Sequence, residues 1–130
     1  KISYIPFPGG HLKFFIIYDE LTRFYWLLSN QATDSMRRVS SLSNIKRYGL
    51  PNNERHRLQL HFSRNCVDWC FAGMVACSTN ELYSRNYPSA VIKGDDLHIV
   101  CRSADEHALN PQYNNMITHH IVSNFRQLIY

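Results

Sequence analysis

Long hydrophobic runs are missing from this chain. No apolar stretch approaches the ~18 residues that a membrane-spanning helix requires, and no secretory hydrophobic region opens the sequence. Glycine is scarce, with 5 in 130 residues, and none belongs to a Gly-rich loop of the kind that cradles phosphates. HExxH and GxSxG elements are absent too. Nucleotide-dependent and serine-hydrolase chemistry are therefore not expected. Runs of like charge are also lacking: 14 Lys and Arg stand against 10 Asp and Glu, a net charge of +4. An excess of this size permits an anionic ligand without requiring one. The Arg residues are scattered, which argues against a nucleic-acid-binding arm. The cysteines are few, at positions 66, 70, 77 and 101, enough for two disulfides or none. His61, Cys66, Cys70 and Cys77 form a set of soft ligands, but their spacing is not a usual zinc pattern. His119 and His120 are adjacent on a strand and point to opposite faces, so they share no metal. No metal and no cofactor is expected.

What remains is the composition of a β protein. Charged residues make up 18% and hydrophobic ones 45%, as in a globular chain rather than a disordered one. Aromatics at 13% lean towards strands. The length suits one domain. Opening at Lys1 without an initiator Met, the chain is expected to be processed or part of something longer. An excised signal peptide leaves no trace, so the compartment stays open, with a secreted or periplasmic one favoured.

The strands can be read in order. Pro6, Pro8, Gly9 and Gly10 close a short extended start. Residues 12–18 are apolar almost throughout, as in a strand buried on both faces. A tight connection leads to a returning strand over 24–29. Residues 31–56 form a long polar loop, of a length usually reserved for function or disorder. Leu58, Leu60 and Phe62 then alternate with polar neighbours, the period-two pattern of a half-buried strand. Ser63–Cys66 breaks the pattern and Trp69–Ala76 resumes it, making a hairpin with a polar tip. Residues 78–87 connect to a second run of the same events: a strand over 89–93, a Gly94–Asp96 turn, a strand over 97–101, a polar loop, a strand over 116–122, a tip at Ser123–Asn124 and a fourth strand from Phe125 to Tyr130. The order strand, tight turn, strand, long loop, strand, tip, strand thus occurs twice, over about 12–77 and 88–130. Repetition of this kind signals modular architecture. Four-stranded antiparallel units are the blades of a β-propeller, so the expected fold is all-β, with two four-stranded propeller-like blades that form part of a larger propeller. A single sandwich of about eight strands is the competing architecture.

The stretch Ser63-Arg64-Asn65-Cys66-Val67-Asp68-Trp69 resembles the Asp-box of sialidase-superfamily propellers, one common form of which reads Ser-x-Asp-Gly-x-x-Trp. Asn65 stands in the place of the Asp and Cys66 in the place of the Gly. The resemblance implies that Ser63, Asn65 and Trp69 are structural, knitting a blade-tip turn on the face away from the ligand. Residues 87–102 look like the start of a sialidase blade, an inner strand, a tight turn and a second strand ending in Arg. By that likeness Arg102 matches one of three arginines that hold the carboxylate of sialic acid. Where the sialidase pattern carries the Glu that activates a nucleophilic tyrosine, this chain has Tyr87.

The loops at the other face are rich in groups that bind sugars: planar hydrogen-bonding side chains beside aromatic surface. Arg102 leads the candidates, since a strand would aim it at that face and its guanidinium binds a carboxylate bidentately. A surface ion pair with Asp105 or Glu106 is its plainer role. Arg55, Arg57 and Glu54 follow, in a dense polar cluster just before a strand. Tyr87 is expected to be a packed or sugar-contacting aromatic, and Asp105 completes the candidate set. Glycosidases need two carboxylates, or a tyrosine with a glutamate, across the scissile bond, and sequence supplies no such distance. The functional expectation is a glycan-processing, sialidase-like or glycan-binding propeller segment for an acidic or hydroxyl-rich sugar, partnered by further blades. The alternative is a non-catalytic segment serving as a protein-binding or structural scaffold.

Overall fold

The computed structural model describes residues 2–9, 11–42 and 54–130. Seven strands fall into two antiparallel sheets. The first has the order β1-β2-β3-β4, built from Phe15–Asp19, Phe24–Asn30, Arg57–Ser63 and Cys70–Cys77. The second has the order β5-β6-β7, built from Arg85–Lys93, Asp96–Ser103 and Met116–Val122. Each is a plain meander, because every connection joins neighbouring antiparallel strands. The chain is thus all-β among its described residues, apart from 3₁₀ turns at Val39–Leu42 and Phe125–Leu128. Neither sheet closes on itself.

One core lies between the sheets. Phe24, Trp26 and Leu28 of β2 and Leu58, Leu60 and Phe62 of β3 point the same way, being two apart along their strands. They meet Leu97, Ile99 and Cys101 of β6. Burial of each large apolar side chain contributes roughly 1.5–3 kcal/mol. Phe125 fills the gap at one end, fully buried, with its ring centroid 4.8 Å from that of Trp26. Part of the opposite face of the first sheet lies against the N-terminal segment. Gly9, at φ +128°, lies so close to Ser29 that an added Cβ would sit 2.8 Å from the serine Cβ. Phe7 packs on both Phe14 and Trp69. The outer face of the second sheet has no such cover among the described residues, leaving Val91, Val100, Ile117 and Ile121 exposed.

Three expectations from sequence need correction. The second unit has three strands, not four. Asn124 takes a left-handed conformation at φ 50° and turns the chain into a 3₁₀ turn, which drops Phe125 into the core instead of extending it along β7. The connection placed over 78–87 ends early, since β5 starts at Arg85. It runs through Tyr87 and Pro88 by way of a break in register between Asn86 and Ser89. Finally, β1 is not buried on both faces: it is an edge strand, with Tyr18 exposed and only Asp19 fully buried. Within the long polar loop over 31–56, residues 43–53 lie outside the described set.

The Ser63–Trp69 turn is fastened by its own side chains. Ser63 Oγ accepts from the amides of Asn65 and Cys66 at 3.2 and 3.0 Å. Asn65 Oδ1 accepts from those of Val67 and Asp68, both at 2.9 Å. Asn65 Nδ2 donates to Asp68 at 2.8 Å. An Asn performs here what a carboxylate can do, because only acceptor oxygen is needed towards the amides. Cys66 sits at φ 60°, a conformation that suits glycine better.

Candidate functional site

Antiparallel pairing brings the end of β2, the start of β3, the start of β5 and the end of β6 to one end of the molecule. The Ser63–Trp69 turn, the β5–β6 turn and Asn124 lie at the other. At the first end the ring of Tyr87 is surrounded by cations. The guanidinium carbons of Arg55 and Arg102 each lie 5.4 Å from the ring centroid, and the Lys13 Nζ lies 5.6 Å from it. Tyr87 can stand there because of its backbone. Pro88 disfavours the right-handed helical region for the residue before it, Tyr87 adopts φ 50°, and the ladder skips from Asn86 to Ser89. The bulge re-aims one side chain, as bulges beside functional sites often do.

Electrostatics follow from that crowding. The Arg55 guanidinium beside the phenol holds its pKa below the ordinary 10.0; burial opposes the shift, and the charges of Arg102 and Lys13 add to it. Arg102 is exposed and, among the described residues, makes no ion pair with Asp105 or Glu106. Asp105 accepts instead from Asn115 Nδ2 at 2.7 Å and from the His107 amide at 2.9 Å. Those bonds, Asn115's first, keep its carboxyl below the usual range. It shapes the turn of its own loop.

Glu54 and Arg57 form a brace next to the cluster. The Glu54 carboxylate is buried and accepts from the Thr33 amide at 2.7 Å, from the Thr33 hydroxyl at 3.0 and 3.1 Å, and from Arg57 Nη1 in an ion pair. It ties the segment after β2 to the start of β3. The Arg55 carbonyl accepts from the Arg85 amide at 2.8 Å, which joins the two sheets directly beneath the cluster. Of the residues singled out by sequence, Arg55, Arg102 and Tyr87 are thus gathered around one ring, while Glu54, Arg57 and Asp105 support loops. Ser63, Asn65 and Trp69 lie at the far end. Lys13 was not among the candidates, and its one signal was being the lone charge in an apolar run.

Three cations thus gather about one phenol, a positive charge distribution with aromatic surface beside it. Among the described residues no carboxylate hydrogen-bonds the Tyr87 hydroxyl, and no group of three or more metal-ligating side chains occurs. No described helix is long and apolar enough to cross a membrane. Neither a known protein family, nor a curated protein, nor a solved structure matches the chain.

Proposed function

We propose that this chain carries a glycan-binding site of a sialidase-like propeller, in which Arg55, Arg102 and Lys13 hold the carboxylate of an acidic sugar beside the ring of Tyr87. The convergence of those three cations on one aromatic is the observation that carries the reading. Guanidinium groups suit a carboxylate because their donors match its two oxygens. An aromatic face next to them suits the apolar face of a sugar ring. The likeness of Ser63–Trp69 to an Asp-box supports the same superfamily, and its turn lies at the end away from the cluster. The phenol has cations and no described acid as partners, which favours binding over turnover.

Isothermal titration with a methyl sialoside, and with its methyl ester as the uncharged control, tests the reading. Binding of the acid but not the ester is expected. Arg102→Ala should weaken it about 10- to 100-fold, the range for losing a hydrogen bond to a charged group. Equal binding of acid and ester, or an unchanged Arg102→Ala, would sink it. A fluorogenic sialoside reports turnover separately.

A scaffold role has one observation in its favour. Val91, Val100, Ile117 and Ile121 leave the outer face of the second sheet apolar and exposed, although the inner face already packs on the first sheet. A sheet apolar on both faces is suited to a middle layer, with a further blade as the partner.

A further inference from the structure

The two sheets meet mainly through apolar side chains, and such contacts are non-directional. Packing of that kind sets the distance between layers but resists sliding poorly. Arg55 belongs to the first sheet's side of the junction, and Tyr87 and Arg102 to the second. Something directional must therefore fix the offset between them.

Asn30 is placed to do so. It is the last residue of β2 and is 1% exposed. Its Nδ2 lies 3.2 Å from the Arg55 carbonyl, 3.1 Å from the Arg57 carbonyl and 2.7 Å from the Arg85 carbonyl. Two amide hydrogens are thus shared among three acceptors, two before or at the start of β3 and one at the start of β5. The Arg55 carbonyl also accepts from the Arg85 amide, and the Arg57 carbonyl from the Gln31 amide at 3.0 Å. Arg85 in turn extends the joint to the far side, its Nη1 donating to the Ser84 carbonyl at 2.7 Å and the Ala104 carbonyl at 3.0 Å. Ala104 lies just past the end of β6, two residues after Arg102. Asn30 Oδ1 is buried with no hydrogen-bond partner among the described residues. That is an unfavourable arrangement, and it shows the amide committed to its donor side.

We infer that Asn30 is a positioning residue: by bonding the carbonyls of Arg55, Arg57 and Arg85 together, it sets Arg55 of one sheet against Tyr87 of the other. It touches neither the ring nor a ligand, and acts through backbone that carries both. The inference rests on the reading of the Tyr87 cluster as the binding site, but the geometry it predicts is measurable without a ligand.

The test uses protein labelled with ¹³Cζ-tyrosine, with the Tyr87 resonance assigned by its loss in Tyr87→Phe. In the unmodified chain Tyr87 is expected to titrate below an ordinary tyrosine because the Arg55 guanidinium lies beside it. Asn30→Ala should move that titration back up and weaken methyl sialoside binding about tenfold, as for a lost charged hydrogen bond. Leu60→Ala, a core truncation, should lower stability while leaving the Tyr87 titration in place, which separates positioning from general loosening. If Asn30→Ala does not fold, Asn30→Ser, which keeps one donor, should give an intermediate shift. A folded Asn30 variant in which Tyr87 titrates as in the unmodified chain overturns the inference. Absence of sialoside binding by the unmodified chain would instead remove the proposed function, with the titration still deciding the role of Asn30.

Discussion

Both ends of the molecule gather arginine, and they use it oppositely. At the far end Arg126 is clamped: Nε and Nη2 donate to the two oxygens of Asp19 at 2.8 and 2.9 Å, while Nη1 reaches Asp95 at 3.0 Å and the Gly94 carbonyl at 2.9 Å. Its charge is spent inside the fold, fastening the first sheet to a turn of the second. At the near end Arg55, Arg102 and Lys13 surround a phenol that offers at most partial negative charge, and the carboxylate beside them, Glu54, is taken up by Thr33 and Arg57. The far end thus fixes its arginine with carboxylates, whereas the near end gathers cations around an aromatic ring.

The comparison is broken most directly by removing one charge at each end. Asp19→Ala removes the buried partner of Arg126 and should cost about 3 kcal/mol, since two hydrogen bonds between charged groups are lost and only Asp95 and the Gly94 carbonyl remain. Arg102→Ala should change stability by no more than about 0.5 kcal/mol, as for an exposed residue whose contact is one open ring face. Urea unfolding of the two variants measures both, and similar losses would erase the distinction.

Acidification sharpens it. Burial holds His61 and His120 below their ordinary 6.5, with the Arg85 and His119 charges adding to the effect at His120. The unfolded chain therefore takes up protons first as pH falls below about 6.5, and the stability these residues give above that point drains away through their lowered folded values. Asp19 is held below 3.8 chiefly by the Arg126 hydrogen bond. Its contribution is complete above that value and is lost as pH falls through the folded one. Tyr87 has the same sign at the alkaline end, its contribution growing as pH rises through its lowered folded value towards 10. Stability measured against pH should fall in two acid steps, and Asp19→Asn should shrink the lower, to which Asp105 also contributes, while leaving the upper in place.

The last expected effect concerns the strap against the first sheet. Gly9→Ala adds a methyl against Ser29 at a backbone angle that side chains avoid, and should cost about 1–3 kcal/mol if the strap stays docked, or less if it lifts. A thermal melt with Phe7→Ala as companion distinguishes the two, because a lifted strap makes the second truncation silent.

The strands were legible where alternation was clean. Leu58, Leu60 and Phe62 announce β3, and Met116–Val122 matches β7 residue for residue. The end of the chain was not legible in this way: residues 125–130 carry enough apolar residues for a strand, and a single left-handed Asn124, favoured by the core gap that Phe125 fills, decided otherwise. Tyr87 was read into a connection because Pro88 looks like punctuation, yet a bulge lets a strand pass through proline. Arg55 and Arg102 could be found because polar residues flank strand ends. Asn30 could not, since one more polar residue at a strand end has no mark in sequence until its three carbonyl partners, far apart in the chain, are seen together.

The Asp19–Arg126 clamp joins residues 107 positions apart, which gives it a kinetic meaning. Closing so long a segment is entropically unfavourable until most of the chain is in place. The pair should therefore form after the rate-limiting step of folding. Its removal would leave the refolding arm of a chevron nearly unchanged and raise the unfolding arm, with Asp19→Ala unfolding faster by nearly its whole equilibrium cost. The clamp acts as a latch on the lifetime of the native state rather than as a guide towards it.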